Sequence, residues 1–246
     1  MDLPQVKRKP RRKQEQPSTA QALHILGLLH LEGSLQLGAV WLVVTPSEAK
    51  ALRQCALGTI DGGPATAAHI LQDAAHSSHS VKDGLADGLS AARMSLEEAF
   101  FLAYALECLT VYQAAIKLSE QDLWTACCTA KASFPLAYAG FHHFRSKGWI
   151  ARSGVQYGTH FVLYQKHPEQ AHSDMCAIVT RVGDREMQCW RDLEVANRLC
   201  SQVGKKLLLL YVQESPGAST ATPAYLTAVQ AEEWLLRRWV PERDRA

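Results

Sequence analysis

At 246 residues, with 47% hydrophobic and 20% charged side chains, the chain has the composition of a globular protein, which excludes a disordered or low-complexity one. Its net charge of +2 comes without any apolar run near the roughly 20 residues of a membrane span. Its seven cysteines form no CxxC pair and are odd in number, against a zinc ribbon or disulfide framework and for reduced thiols in an intracellular protein.

The small net charge hides an asymmetry. KRKPRRK, Lys7 to Lys13, places six basic residues in seven positions. The start of the chain lacks the apolar core of a secretory signal. Residues 1–18 read as a solvated basic tail, a composition shared by nuclear-localisation signals and nucleic-acid-binding arms. The remainder is slightly acidic, so any RNA contact there needs a local patch. Residues 20–44 (AQALHILGLLHLEGSLQLGAVWLVV) predict a helix or strand followed by an apolar hairpin. Thr45, Pro46 and Glu48 then spell a capping box with proline at the first helical position, opening a helix that runs toward Gly58. Residues 61–93 turn Ala-, Gly-, Ser- and His-rich and predict a mobile insertion with His69, His76 and His79 solvated. Together residues 19–93 predict a small N-terminal α/β domain.

Residues 94–148 predict a helical lead-in to the second region, 94–246. Ser95 and Glu98 cap a helix through EEAFFLAYALECLTVY; Ser119 and Asp122 announce a second; Phe134, Tyr138, Phe141 and Phe144 mark a third, ended by Gly148. From 149 to 246 the pattern becomes strand-like: WIARSG into VQYGTHFVLYQ, then CAIVTRV, and later KKLLLLYVQE. A helix from about Trp190 to Val203, stopped by Gly204, lies between the last two. Helices leading into a mostly hairpin, mixed sheet with one crossover helix define an α+β class.

Hydrolase and nucleotide-binding signatures are missing: no GxSxG, no HExxH, no P-loop and no Rossmann glycines. Asp184, Glu186, Asp192 and Glu194 cluster in sequence, but beside a turn and on an exposed helix face acidic residues are ordinarily solvated. A metal-free set remains: Tyr164, His172 and a lysine at 205 or 206. Alternation over 157–165 puts His160, Val162 and Tyr164 on one face and Tyr157, Thr159, Phe161 and Leu163 on the other. Tyr164 then ends its strand near the turn QKHPEQ, and His172 opens the return. Taken alone, these residues fit packing or surface positions as well as a reaction.

A longer pattern adds to this. The segment YAGFHHFRSKGWIARSGVQYGTHFVLYQKHPEQAHS resembles the core of the tRNA-splicing endonuclease family: a helix ending in FRxKGW, a glycine-led YGxDFxxY, a short loop and H-S. The likeness extends over roughly residues 94–246, with a weaker match in VTPSEAKALRQCALG. It is nearest the eukaryotic catalytic subunit assigned to the 5′ splice site; the 3′-site subunit and a non-catalytic assembly subunit are alternatives, as is a plain RNA-binding module using the tail, Arg145, Lys147 and Lys166. The resemblance implies catalytic Tyr164, His172 and Lys205, with Lys206 the rival on spacing. It also implies that Arg198 and Trp239 grip an intron base by stacking and cation–π contact, for a neighbouring subunit's cut or its own. The family aspartate three residues after the first tyrosine is His160 here, which changes the charge beside Tyr164.

On this reading the substrate is an intron-containing tRNA precursor, with no DNA, cofactor or metal. Attack by the 2′-hydroxyl gives a 2′,3′-cyclic phosphate and a 5′-hydroxyl. Histidine suits the acid and lysine the phosphorane charge. Tyrosine, with a reference pKa near 10, must be ionised by cationic neighbours or orient the hydroxyl. The implied setting is a nuclear heterotetramer, joined through the C-terminal region with LLLLYV in the contact.

Overall fold

The computed structural model describes residues 19–60, 88–181 and 189–236. Helix α1 (Thr19–Gly27) leads into the hairpin β1 (Leu31–Gln36) and β2 (Ala39–Val44). The two turn residues, Leu37 and Gly38, both hold positive φ (48° and 73°), the geometry that matches the twist of a two-residue hairpin. Helix α2 (Pro46–Gln54) starts as its sequence predicts. The Thr45 hydroxyl accepts from the Glu48 amide at 3.3 Å, and the Glu48 carboxylate accepts from the Thr45 amide at 2.7 Å.

Strands β3 (Thr59–Ile60) and β4 (Ser90–Met94) follow. Ser90 to Arg93, expected within the insertion, instead pair along β2 as part of β4, with Val40 opposite Met94 and Val44 opposite Ser90. Residues 61–87 of that insertion, with its three histidines, lie outside the described residues. Helix α3 (Leu96–Phe100) carries the Ser95–Glu98 box and runs on as a π-helical turn over Phe101–Ala105. There the expected long helix ends. CLTVY yields β5 (Leu109–Gln113), which lies parallel to β1, followed by β6 (Ile116–Lys117). Thr110, Val111 and Tyr112 are strand formers, and Val111 finds a buried place beside β1. The six-stranded sheet β3-β4-β2-β1-β5-β6 thus draws strands from both sides of residue 94.

Helices α4 (Glu120–Ala130) and α5 (Phe134–Ser146) form where their caps and aromatic spacing predict. A five-stranded sheet follows, in the order β11-β10-β9-β8-β7. Its strands are β7 (Ile150–Ser153), β8 (Phe161–Tyr164), β9 (Met175–Arg181), β10 (Lys206–Glu214) and β11 (Val229–Leu236). Only β9 and β10 are parallel, joined by α6 (Trp190–Gln202). Elements and sheets together make the class α+β, as the chain order predicts.

Two further details lie beyond the sequence reading. Strand β11 has no clean alternation, is largely exposed, and is held by its antiparallel register along β10 from Leu207–Leu236 to Glu214–Val229. The leucines of the LLLLYV run are not surface for a partner: Leu207 to Leu210 are at most 5% exposed. Leu208 and Leu210 enter the main core, while Leu207 and Leu209 join a smaller cluster on the opposite face of the sheet.

Candidate active site

The end of the second sheet where β8 finishes and β9 and β10 begin gathers the predicted groups. Side chains alternate along β8: Phe161 and Leu163 enter the main core, whereas Val162 is buried with Cys176, Ile178, Cys200, Leu207 and Leu209 on the other face. Tyr164, half-buried at the strand's end, packs against that second cluster. The loop after it is closed by Asp174. Its amide donates to the Leu163 carbonyl at 2.9 Å, and its carboxylate accepts from the Gln165 amide at 3.1 Å. Within the loop, His167 Nε2 meets the Arg53 carbonyl at 2.6 Å, and the Gln170 amide donates to the His167 carbonyl at 2.8 Å. This clip returns the chain beside Tyr164 with His172 two residues before Asp174. His172 itself is exposed.

Gly204, at φ +69°, ends the crossover helix by turning left-handed. The Lys205 amide then donates to the Cys200 carbonyl at 2.9 Å. Its ammonium donates to the carbonyl of Ser173, the neighbour of His172, at 3.2 Å. It also stands over the Tyr157 ring, 5.3 Å from the centroid. Lys206 opens β10 opposite Met175, one position out of step with Leu207, and is exposed. Alternation therefore sends Lys205 to the face of Tyr164 and Lys206 away from it.

The structure thus brings Tyr164, His172 and Lys205 to one sheet end. Arg198 lies on the exposed side of α6, and Trp239 lies outside the described residues.

Sequence reasoning misplaced Tyr157. The strand it expected over 157–165 forms only from Phe161. Val155–Tyr157 make a 3₁₀ turn, with the Tyr157 amide donating to the Gly154 carbonyl at 2.8 Å and Gly158 at φ +65°. Tyr157 to His160 lie outside the pleat, so period-two counting does not carry across them, and Tyr157 packs on the same cluster as Tyr164. The Gly158 in YG is the signal for that break. His160 precedes the strand, and its Nδ1 accepts from the Val179 amide at 3.2 Å. The imidazole standing in for the family aspartate therefore serves as a backbone acceptor toward β9. Asp174, the loop clip, carries no signal in a single sequence that distinguishes it from a solvated aspartate.

Other candidates fall elsewhere. Arg145, considered for RNA, is 3% exposed, with Nη2 donating to the Cys55 carbonyl at 3.1 Å. Lys147 pairs with Glu233 at 3.0 Å. Asp192 caps α6, accepting from the Cys189 amide at 3.4 Å; Asp184 and Glu186 lie outside the described residues. Among the described residues no helix is long and apolar enough to cross a membrane.

All seven cysteines are free thiols. Burial pushes Cys55 and Cys108 up to about 11 and Cys127 up to about 12, the mark of packing thiols. Cys176 and Cys200 lie under Lys205. The hydrogen bond between them holds Cys176 below the ordinary thiol range, against burial and with the Lys205 charge assisting, and pushes Cys200 up.

A mixed sheet, reached through a helix rich in aromatics, thus sets a tyrosine, a histidine and a lysine at one end. Residues 134–218 match the family model for the tRNA intron endonuclease catalytic C-terminal domain. The chain is 32% identical over 215 residues to the Arabidopsis thaliana tRNA-splicing endonuclease subunit Sen2-2, covering 87% of this chain and 78% of that one. It is 38% identical over 156 residues to Sen2-1 of the same plant (62% and 66% covered). Against mouse Sen2 it is 37% identical over 164 residues (63% and 35%). The chain belongs to the tRNA-splicing endonuclease family. It spans about two thirds of the length of Sen2-1 and about one third of the mouse subunit.

Proposed function

We propose that this chain is a catalytic subunit of a tRNA-splicing endonuclease and cuts intron-containing tRNA precursors at the 5′ splice site. One observation carries the reading. The Lys205 ammonium is held at the Ser173 carbonyl, one residue from His172, on the sheet face that Tyr164 occupies. RNA brings its own nucleophile, so three such groups suffice. Tyr164 orients or deprotonates the 2′-hydroxyl. Lys205 stabilises the phosphorane, and His172, exposed to solvent and substrate, protonates the leaving 5′-oxygen. Arg198 and Trp239 would hold an intron base, for this cut or a neighbour's. Similarity to Sen2 subunits supports a multi-subunit setting, a heterotetramer in this proposal, in which the chain alone cuts poorly. The basic run Lys7 to Lys13 supports nuclear import.

The test is cleavage of an intron-containing tRNA precursor by the reconstituted complex in chelator, with the ends of the products analysed. A 5′-exon ending in a 2′,3′-cyclic phosphate, lost with His172→Ala while precursor binding persists, is the expected result. Unimpaired cutting at both sites by the His172→Ala complex would refute the assignment, and loss at the 3′ site alone would transfer it to the other cut.

A further inference from the structure

We infer that Tyr157 is a positioning residue for Lys205, holding the ammonium by the face of its ring. The inference rests on the catalytic reading of Lys205 above. A lysine side chain is long, flexible and strongly hydrated, and fixing it in one place costs rotamer entropy. Lys205 has two fixed anchors. The Ser173 carbonyl takes one N–H at 3.2 Å. The Tyr157 ring faces the ammonium at 5.3 Å, within the range of cation–π attraction. A carbonyl alone sets a distance; a carbonyl and a ring face together set a direction.

The ring is itself held. Tyr157 is half-buried against Val162, Cys176 and their neighbours, on the same face as Tyr164. Its backbone is locked in the 3₁₀ turn between Gly154 and Gly158. The buried Thr159 hydroxyl lies 3.3 Å from the Gly154 carbonyl and 3.2 Å from that of Phe161, closing the turn onto β8. Gly154 has no room for a side chain, since a Cβ would meet the Thr159 hydroxyl and lie 2.8 Å from the Phe161 carbonyl carbon. The turn is therefore a rigid mount for one aromatic ring. An anionic partner in its place would neutralise the lysine, whereas an aromatic face orients the charge and leaves it whole for the phosphate.

The experiment is a double-mutant cycle in the reconstituted complex, read as kcat and KM separately on a tRNA precursor. Tyr157→Leu should lower kcat roughly tenfold, the scale of a partly desolvated cation–π contact, with KM little changed. Tyr157→Phe, which keeps the ring, should retain near-normal kcat. In a Lys205→Ala background Tyr157→Leu should cost nothing more. An equal loss in both backgrounds would show a merely structural role and overturn the inference, as would a Phe variant as poor as Leu, or no loss with Leu. If Lys205→Ala itself cuts normally, the catalytic reading of the lysine fails instead, a result distinguishable from the others.

Discussion

Lys205 and Lys206 are adjacent and chemically identical, so the difference between them is one of direction alone. Lys205 donates to the Ser173 carbonyl and lies on the Tyr164 face, whereas Lys206 begins β10 in register with Met175 and points the other way. Lys205→Ala should therefore lower kcat by about 10²–10³-fold, as loss of a preorganised electrostatic group does, and Lys206→Ala should leave it nearly unchanged. Single-turnover cleavage of a precursor by the two complexes decides it, and a reversed order would place the register one residue off. His172→Ala should cost about 10²–10⁴-fold for a lost general acid. At this scale the family motif pointed to Tyr164, His172 and Lys205, and the structure sets all three at one end of the second sheet. The orientation of Tyr157 was not legible. Period-two counting assumes an unbroken pleat, and the 3₁₀ turn with left-handed Gly158 breaks it.

Among the elements, helices announced themselves through their caps: Thr45–Glu48, Ser95–Glu98 and Ser119–Asp122 all close their boxes. Strands β4, β5 and β11 did not, since each depends on a neighbour distant in sequence. The seat of α5 on β9 depends on Gly140. A Cβ there would collide with Val179 Cγ2 and come within 3.1 Å of its Cγ1, and a β-branched side chain yields poorly. Gly140→Ala should destabilise the protein by about 1–3 kcal/mol through overpacking, despite alanine's better helix propensity, and Val179→Ala should relieve part of that loss. Urea titrations of the two single variants and the double variant measure the coupling. The same helix grips β11 through Glu233, which lies 2.8 Å from His143 Nε2 and 3.0 Å from Lys147 Nζ. Burial pushes the Glu233 carboxyl up, but Lys147 and His143 outweigh it and hold it below the ordinary value of 4.5. A depressed carboxylate stabilises the fold above its unfolded pKa and loses that contribution as pH falls through the folded value. Glu233→Gln should therefore be less stable than the native chain at neutral pH, with the difference shrinking below about pH 4. A gap between the two denaturation midpoints that stays constant from neutral to acid pH would contradict the linkage.

At the scale of the whole molecule, the described residues form two sheets that share one main core. Leu26, Leu42 and Leu52 from the first sheet's layer share a cluster with Phe100, Trp124 and Tyr138, and with Leu163, Val179 and Leu210 of the second. Polar ties reinforce this junction. Arg145 of α5, sandwiched near the Phe101 and Phe141 rings, reaches the Cys55 carbonyl at the end of α2, and burial pushes its pKa down. Arg152 of β7 places Nη1 3.1 Å from the Ala56 carbonyl, 3.0 Å from that of Gly58 and 3.1 Å from the carboxylate of Glu98. Glu98 in turn accepts from the Gly58 amide at 3.1 Å while closing the cap of α3. A strand of the second sheet thus clamps the loop after α2, beyond the reach of sequence reading because the partners stand about a hundred residues apart. Because the core is shared, the protein should unfold in one transition, with far- and near-ultraviolet circular dichroism melting together. Arg152→Ala should then shift that single transition, lowering stability by about 1.5–3 kcal/mol, because it removes charge-assisted bonds and the direct ion-pair partner of the 7%-exposed Glu98. If the two sheets were instead independent units joined by a seam, the variant would split the melt in two while leaving the later transition where it was.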